Sequence, residues 1–464
     1  MEINLEEMDS FVVALVFPIL VLWILWRLLN TGLQREKLPP GPVPMPLIGS
    51  LFKLAGDDHP HRTLAGLAVT YGPLMSLRLG QVTAVVVSSA TAAKEVLQKH
   101  DQSFAGRAVV DAIRCQGHEH ASVVWLPPDQ RWRRLRSLCN TFIFSSQRLD
   151  ASQGVRRRKV AELLAHVDGC AALGKGVDVG KVAFTTFLNL ISNTIFSVDM
   201  VYDVDSKTAG EFKALVDEIM EEVGKPNVVD AFPILRRINP QGIRRKVTSS
   251  FAKLHEIFEK KIEEREASRS SSTPDYRQRN DFLGALLDQR ENGVELSRFE
   301  LKTLFLDLFI AGSDTNSVTI EWVMTELLRN PESMAQARTE LEEVMGERKE
   351  VEESDIAQLP YLQAIVKETL RLIARDDELW ENPELFNPKR FLGTSSNVDY
   401  RGRHFELIPF GAGRRRCPGL PLAYRMVHLM LASLLHSFIW SLPEADRELI
   451  WEKGSECHSR SPSL

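Results

Sequence analysis

The 464-residue sequence is short of cysteine and has no pattern that would pair the few it contains. Its five cysteines, an odd number, include no CxxC pair, so a disulfide scaffold and a four-ligand zinc site are both poorly supported. His59 and His61, like His118 and His120, lack the spacing that places two imidazoles on one helix face, and loop histidines are the simpler interpretation. We therefore expect the body of the protein to lie in a reducing compartment.

The sequence also lacks a strong net charge and a long flexible linker. A formal charge of -5 gives no global electrostatic reason to expect nucleic acid. The basic clusters at residues 156–159 and 244–246 fit solvated helix faces. No Gly/Ser linker or fixed-period repeat divides the chain, so we predict one large domain over residues 50–464.

A long apolar run near the N-terminus is the first positive feature. Residues 11–29 are FVVALVFPILVLWILWRLL, which is long enough as a helix to cross a hydrocarbon core. Acidic residues precede the run and basic residues follow it, which favours an uncleaved anchor over a signal peptide and places the body on the cytosolic side. A buried core helix is the alternative. We predict a single-pass membrane anchor over residues 1–30.

The anchor is followed by a proline-rich hinge, predicted over residues 31–49. Its core, LPPGPVPMP at residues 38–46, cannot form a helix or a sheet ladder and should be an extended, semi-rigid spacer.

The body has one clear strand signal and many helical ones. Apolar stretches at residues 74–79 and 82–87 flank Gly80-Gln81 and predict a short hairpin. A three-to-four-residue apolar period predicts helices in six later stretches. These are residues 211–222, 251–266, 298–329, 331–345, 361–372 and 420–438. The serine-rich, charged stretch at residues 267–280 predicts a mobile surface connection. The predicted fold class is mainly α with a small β-sheet.

A glycine-rich loop delivers Cys417 to the start of an apolar helix. The loop is FGAGRRRCPG, residues 410–419. A thiolate ligand to haem iron needs backbone N–H groups near the sulfur, small residues beside the porphyrin, and a cation for a propionate. A lone buried cysteine is usually just a small hydrophobe, but this combination indicates an iron ligand. The residues of the combination are Phe410, Gly413, Arg415, Cys417 and Gly419.

This loop resembles the haem-binding signature of the cytochromes P450, and the resemblance extends over nearly the whole chain. It recurs in AGSDT, residues 311–315, where the family places a distorted helix over the oxygen-binding face of haem b. The resemblance implies that Ala311 and Gly312 leave room for dioxygen. It also implies that Asp314 and Thr315 relay protons through water. Without the family, Asp and Thr in a helix more often mark a local bend or a solvent contact.

Two further pairs match the family's framework. Glu368 and Arg371 are three residues apart on one predicted helix and can pair. The resemblance implies that they join Arg390 of a Pro-Lys-Arg-Phe segment to brace the core behind the haem loop. Trp132 and Arg136, one helical turn apart, resemble the family's propionate-binding helix; otherwise they are an ordinary amphipathic pair.

Two other segments resemble plant members of the endoplasmic reticulum. HDQSFAGR at residues 100–107 and SVVWLP at residues 122–127 are similar to the group that contains geraniol hydroxylases and ferruginol-type diterpene hydroxylases.

The family pattern is broken in two places. At Leu372/Ile373 the family continues through a proline-rich turn and several short strands that line the substrate pocket, so a few dozen residues are expected to be missing here. The polar tail at residues 451–464 stands where the family has a final hairpin, so this hairpin is expected to be missing as well.

The resemblance implies a haem-thiolate monooxygenase of the endoplasmic reticulum membrane. Its substrate would be a small lipophilic molecule of the terpenoid class, with O₂ as the oxidant and electrons from NADPH through NADPH-cytochrome P450 reductase. The two missing segments favour an alternative, a catalytically impaired or inactive haem-binding membrane protein. A haem-dependent isomerase or dehydratase fits less well, because Asp314 and Thr315 suit oxygen activation.

Overall fold

The computed structural model describes residues 17–19, 21–23, 25, 38–55, 60–270, 281–372, 379–393 and 397–442. The chain packs as two compact units. The first comprises Met1–Val96 and Pro226–Gln241, and the second comprises Leu97–Lys225 and Gly242–Leu464.

The described secondary structure is mainly helical. The strands are β1 (Leu74–Leu79) and β2 (Val82–Val87). The α-helices are α1 (Leu51–Ala55), α2 (Pro60–Tyr71), α3 (Ala90–Lys94), α4 (Asp101–Phe104), α5 (Gln130–Cys139), α6 (Ser146–Ala151), α7 (Gln153–Ala172), α8 (Val179–Phe196), α9 (Lys207–Gly224), α10 (Val228–Ala231), α11 (Ile243–Ser270), α12 (Phe282–Glu291), α13 (Arg298–Arg329), α14 (Pro331–Met345), α15 (Pro360–Arg371) and α16 (Leu420–Ser437). Short 3₁₀ helices lie at Asp111–Ile113, His118–His120, Pro233–Arg237, Asp355–Gln358, Pro388–Phe391 and Gly413–Arg415, and π-helical turns at Glu95–Lys99 and Asn140–Phe144.

The first unit contains the predicted hairpin. β1 and β2 pair antiparallel from Leu74↔Val87 to Leu79↔Val82, with the predicted bounds. Gly80 makes the turn with φ +59°, a left-handed conformation that favours glycine. Within the described residues this two-stranded sheet is the whole of the sheet structure, so the prediction of a mainly α fold with a small sheet is confirmed.

The proline-rich spacer is more firmly attached than the sequence predicts. Ser76 of β1 donates to Pro40 O through its N–H at 2.8 Å and to Pro39 O through its hydroxyl at 2.7 Å. Met45 and Gly49 also form an isolated antiparallel bridge, so the expectation of no ladder contact is wrong. Proline lacks a donor, but its carbonyl still accepts, and that is how β1 binds the spacer.

Within the described residues, no helix has both the length and the apolarity needed to span a membrane. Most of the apolar run at residues 11–29 lies outside the described residues, and the part described at 17–19, 21–23 and 25 is helical.

The second unit is built on α8 and α13, which pack along each other. α13 begins at a capping box in which Ser297 accepts from Glu300 N–H and Glu300 accepts from Ser297 N–H, so its start is fixed. α8 is buried on almost every face, and four phenylalanines cluster across α8, α11 and α13. These are Phe196, Phe258, Phe305 and Phe309. α13 is therefore a rigid support in the unit's core.

Two sequence expectations about surface segments are wrong. In the basic cluster at residues 156–159, Arg156 and Lys159 are fully buried rather than solvated, because each meets a carboxylate. Arg156 pairs with Glu353 at 2.6 Å and Lys159 with Asp199 at 2.6 Å. The predicted connection at residues 267–280 begins later than expected, since α11 runs to Ser270, while residues 271–280 lie outside the described residues.

Candidate functional site

The loop that carries Cys417 is closed by its own backbone and by one glycine. Cys417 N–H donates to Phe410 O at 2.9 Å across the 3₁₀ turn. Gly413 has φ +63°, and a Cβ at this position would lie 1.8 Å from Leu97 O. Only glycine fits both the conformation and the space. The loop is thereby packed against the segment that precedes α4.

The Cys417 thiol is half-buried just before α16. Burial raises the pKa of this thiol, whereas the backbone N–H groups of Gly419 and Leu420 and the Arg136 guanidinium lower it. A Cβ at Gly419 would lie 3.8 Å from Cys417 Sγ, so glycine keeps that side of the sulfur open. Backbone N–H groups aimed at a sulfur are what a thiolate ligand to iron requires.

Positive charge gathers beside this loop around the ring of Trp132. The guanidinium carbon of Arg415 lies 4.7 Å from the ring centroid, and that of Arg136 lies 5.8 Å from it. Burial, together with Arg107 and Arg136, lowers the pKa of Arg415 to about 10, and Asp129 opposes the shift. Within the described residues, Arg415 Nη1 is buried without a hydrogen-bond partner. An anionic group would complete this cluster, since it would neutralise the repulsion and accept that hydrogen bond.

Backbone carbonyls orient both Arg415 and Trp132. Arg415 donates to Ala105 O at 2.8 Å through Nε and to Leu126 O through Nη2. Trp132 donates its indole N–H to Val123 O at 3.0 Å. The Trp132 ring therefore packs against both arginines, while its N–H donates to a backbone carbonyl. A contact between Trp132 and a haem propionate stays a prediction.

The residues in this region fit haem. Cys417, with N–H groups facing its sulfur, would be the iron ligand, and Arg136 and Arg415 would hold propionates. Arg136 also donates to Arg416 O, next to Cys417, so one side chain joins the arginine cluster to the ligand loop.

One face of α13 is open where the sequence predicts the oxygen-binding side of the site. Ala311, Thr315 and Val318 are exposed at helical spacing. The Thr315 hydroxyl donates to Ala311 O at 2.6 Å. Its oxygen can still accept a hydrogen bond from water or substrate.

Gly312 does not share that face. A Cβ at Gly312 would lie 2.8 Å from Ile191 Cδ1 of α8. The absence of a side chain at Gly312 thus lets α8 and α13 approach closely. Its implied role in making room for dioxygen stays a prediction.

Asp314 lies in a different environment from Thr315. Burial raises the pKa of Asp314, Asp217 raises it further, and Lys213 lowers it. Both neighbours belong to α9, where Lys213 binds Asp217 at 2.8 Å. The upward shift of its pKa favours the protonated form of the Asp314 carboxyl, the direction that a proton donor requires.

Glu368, Arg371 and Arg390 are brought together as the sequence predicts. Glu368 and Arg371 are both fully buried and pair at 2.8 Å, and Arg390 lies 3.1 Å from Glu368. Asn387 N–H also donates to Glu368 Oε1 at 2.8 Å. One carboxylate therefore ties the end of α15 to the Pro388–Phe391 turn.

Replacing Glu368 with alanine should lower the free energy of unfolding by about 3–5 kcal/mol, because it leaves Arg371 buried without its counter-charge. Urea denaturation followed by far-ultraviolet circular dichroism would measure the loss. The matched control is Glu350→Ala, because the Glu350–Arg157 pair is exposed on both sides and is worth about 0–1 kcal/mol. Equal losses in the two variants would contradict a structural role for Glu368.

Sequence reasoning missed a buried polar cluster on α13. Asp307 accepts from the Ser122 hydroxyl at 2.8 Å and from Val123 N–H at 2.8 Å. His118 Nε2 lies 3.1 Å from Asp307 Oδ1, and the side chain is 2% exposed. His118 does lie in a connecting segment, but its ring is buried and meets Asp307 inside the core, which the sequence did not predict. An aspartate within the otherwise apolar stretch LFLDLF was the available signal, since a buried carboxylate requires partners.

Comparison with known proteins identifies the family. The family model for Cytochrome P450 matches residues 39–374 and 372–462. The chain is 45% identical over 473 positions to geraniol 8-hydroxylase of Swertia mussotii, covering 94% of this chain and 93% of the relative. It is 46% identical over 445 positions to geraniol 8-hydroxylase of Catharanthus roseus, covering 88% of each. It is 40% identical over 451 positions to ferruginol synthase of Salvia miltiorrhiza, covering 89% of each.

The same comparisons bear on the break at Leu372/Ile373. The family match divides into two parts that meet at residues 372–374, where the sequence predicts missing residues. In the Swertia alignment, 94% of 464 residues is about 436, so about 37 of the 473 positions have no residue of this chain. Both findings agree with a lost segment of a few dozen residues.

The C-terminal tail is a separate matter. The second matched part runs to residue 462 and includes most of the polar tail, while residues 443–464 lie outside the described residues. Absence of the final hairpin stays a prediction. With matches over most of its length, the chain belongs to the cytochrome P450 family, as a plant monooxygenase of the group that contains geraniol 8-hydroxylase and ferruginol synthase.

Proposed function

We propose that this protein hydroxylates a terpenoid, using O₂ and electrons that NADPH-cytochrome P450 reductase takes from NADPH. One observation supports this most. Cys417, the backbone N–H groups that face its sulfur, and the Arg136–Arg415 cluster, in which Arg415 Nη1 lacks a hydrogen-bond partner, lie together in one region. The terpenoid class comes from relatives named geraniol 8-hydroxylase and ferruginol synthase.

The residues of the chain have separate tasks in this reaction. Haem, when bound, supplies iron that oxidises a substrate C–H bond with dioxygen. Cys417 would bind the iron, and Arg136 and Arg415 would hold the propionates. Thr315 presents a hydroxyl on the open face of α13, and Asp314, with its raised pKa, would hold the proton that is passed on.

The apolar run at residues 11–29 indicates where in the cell this reaction takes place. We propose that it anchors the protein in the endoplasmic reticulum membrane with the body facing the cytosol, since acidic residues precede it and basic residues follow it. Loss of residues 1–30 should release the protein from microsomes washed with alkaline carbonate. Equal retention of the shortened and full-length chains would argue against the anchor.

A second function is favoured by the divided family match and by the about 37 positions that lack residues of this chain in the Swertia alignment. In this case the protein binds haem weakly, if at all, and does not turn over. The cytochrome P450 signature would then survive in a chain whose substrate pocket is incomplete.

One experiment separates the two functions. The full chain is produced in yeast microsomes together with a plant reductase, and carbon monoxide is added to the reduced membranes. A thiolate-type Soret band and NADPH-dependent conversion of geraniol or a diterpene support the monooxygenase. A weak band or no band, together with no conversion of any terpenoid tested, supports the impaired form.

Replacing Thr315 with alanine should leave haem content unchanged but divert electrons from product to hydrogen peroxide. We expect product per NADPH to fall by about tenfold, because one positioned proton-transfer group typically contributes a factor of at least 10² and water replaces it in part. Peroxide and product are measured together against NADPH consumed.

The matched control for this substitution is Thr319→Ala. Thr319 lies one turn further along α13, and its hydroxyl likewise donates to the carbonyl four residues earlier, Thr315 O, at 2.8 Å. Thr319→Ala should form as much product per NADPH as the unmodified protein. If both variants give unchanged product per NADPH, Thr315 has no part in the mechanism.

A further inference from the structure

The segment at residues 118–126 lies between α13 and the arginine cluster, and Asp307 of α13 binds it through hydrogen bonds. It begins with the 3₁₀ helix His118–His120 and continues in turns, in which Ser122 O accepts from Leu126 N–H at 2.9 Å. The segment has little regular structure of its own, so its position depends on side chains that bind it.

On one side, the segment is bound to α13. Asp307 is 7% exposed, and its carboxylate accepts from the Ser122 hydroxyl and from Val123 N–H. His118 Nε2 lies 3.1 Å from Asp307 Oδ1, which the Ser122 hydroxyl also contacts. Three residues of the segment thus converge on a single carboxylate, which lies eight residues before Thr315 on the same helix.

On the other side, the segment binds the arginine cluster. Val123 O accepts from the Trp132 indole, and Leu126 O accepts from Arg415. Val123 therefore donates to Asp307 with its N–H while its carbonyl orients Trp132, whose ring lies beneath Arg415. Without this support, the two carbonyls would be free to move, Trp132 would lose the acceptor of its indole N–H, and Arg415 would keep only its hydrogen bond to Ala105 O.

We propose that Asp307 is a positioning residue for the haem-propionate side of the site. It fixes residues 118–126 and, through the Val123 and Leu126 carbonyls, the direction of Trp132 and Arg415. This inference rests on the haem site that the proposed function uses. It assigns Asp307 no contact with haem or substrate.

The test compares Asp307→Ala with Asp307→Asn. Alanine removes both acceptors and leaves Val123 N–H and the Ser122 hydroxyl buried without a partner. Asparagine has nearly the same shape and keeps one acceptor oxygen, so the asparagine variant should behave almost like the unmodified protein. Ser122→Ala, which keeps the carboxylate, serves as a second variant if Asp307→Ala does not fold.

Asp281→Ala is the matched control. Asp281 is also buried and accepts from the Ser197 hydroxyl at 2.7 Å, from Gly284 N–H at 2.9 Å and from Arg265 at 2.6 Å. Its removal should destabilise the fold at least as much. It binds α12 and α11, not residues 118–126, so it should not change the arginine cluster.

Two measurements on the full chain do not depend on activity. Amide hydrogen exchange over residues 118–126 should become about tenfold faster in Asp307→Ala, the scale expected when a buried hydrogen bond is lost. Labelling of Arg415 by phenylglyoxal, read by mass spectrometry, should also accelerate. In the asparagine variant both should stay near the unmodified rates, and in Asp281→Ala neither should change beyond the effect of global unfolding.

Haem release to excess apomyoglobin provides the third measurement, with release from Asp307→Ala expected to be about fivefold faster. Unchanged exchange and Arg415 labelling in Asp307→Ala, or the same changes in Asp281→Ala, would overturn the proposal. If no variant, including the unmodified chain, binds haem, the proposed function fails, whereas exchange and labelling still decide the role of Asp307.

Discussion

Replacing Cys417 with alanine should abolish the thiolate-type spectrum of the reduced, carbon monoxide-treated protein. Cys417 is the cysteine whose sulfur faces the N–H groups of Gly419 and Leu420 and lies within the field of Arg136. Iron takes a protein thiolate only where such groups moderate the sulfur's charge. The expected loss of the band is complete, whereas the free energy of unfolding should change by about 1 kcal/mol, as for a small, partly buried side chain.

The control is another thiol of the same unit. Cys139 is 1% exposed, and burial raises the pKa of its thiol to about 12, so Cys139→Ala should keep the band. Cys417→His separates loss of the thiolate from loss of haem, because an imidazole ligand gives a different Soret position. A thiolate-type band in Cys417→Ala would remove Cys417 from the role of iron ligand.

The parts of the fold that the sequence predicts best are those with a simple period or a turn signal. The hairpin β1–β2 and the helices α13 and α14 have the predicted bounds. By contrast, α8 gave no recognisable signal. It is buried on almost every face, and polar residues such as Asn189 and Ser192 are buried together with apolar ones, so the amphipathic period that identifies a surface helix is absent.

The burial of charged side chains was harder to predict from the sequence than the burial of apolar ones. Arg156 and Lys159 look solvated in sequence because their partners Glu353 and Asp199 are distant along the chain. Long-range pairing of this kind decides burial, and no local pattern reveals it. The same holds for Asp307, whose partners lie more than 180 residues away.

For the site, the roles of the predicted residues stay predictions, while the structure adds contacts between them that the sequence does not reveal. Cys417, Arg415 and Arg136 come together as the motif implies, since glycine requirements such as that of Gly413 are local. The segment at residues 118–126, which orients Trp132 and Arg415, has no motif and depends on backbone carbonyls. Carbonyl positions follow from tertiary packing and cannot be inferred from residue types.

The break at Leu372/Ile373 is the feature with the greatest consequence for activity. Both sides of it are held by Glu368, through Arg371 before the break and through Asn387 and Arg390 after it. A segment inserted there would start directly after a helix end that Glu368 holds. Its loss, in contrast, would leave the substrate pocket without one of its walls.

Inserting the corresponding residues of the Swertia relative between Leu372 and Ile373 should raise haem occupancy by about tenfold, because a completed pocket wall restores of the order of 1–2 kcal/mol of binding free energy. Four chains are compared: unmodified, break repaired, tail replaced by that of the relative, and both. Haem per protein and the spectral shift on adding geraniol are measured in each. We expect repair of the break to exceed replacement of the tail, since the resemblance to the family implies that the inserted strands lie nearer the haem.

The four chains form a thermodynamic cycle, so the two changes are independent if their effects add and coupled if they do not. Coupling is expected, because both segments would line one pocket. Each would then contribute more binding free energy when the other is present. Full haem occupancy and tight use of NADPH in the unmodified chain would show that the missing residues are not needed. The protein would then be a competent monooxygenase with a shortened pocket, and the impaired alternative would be excluded.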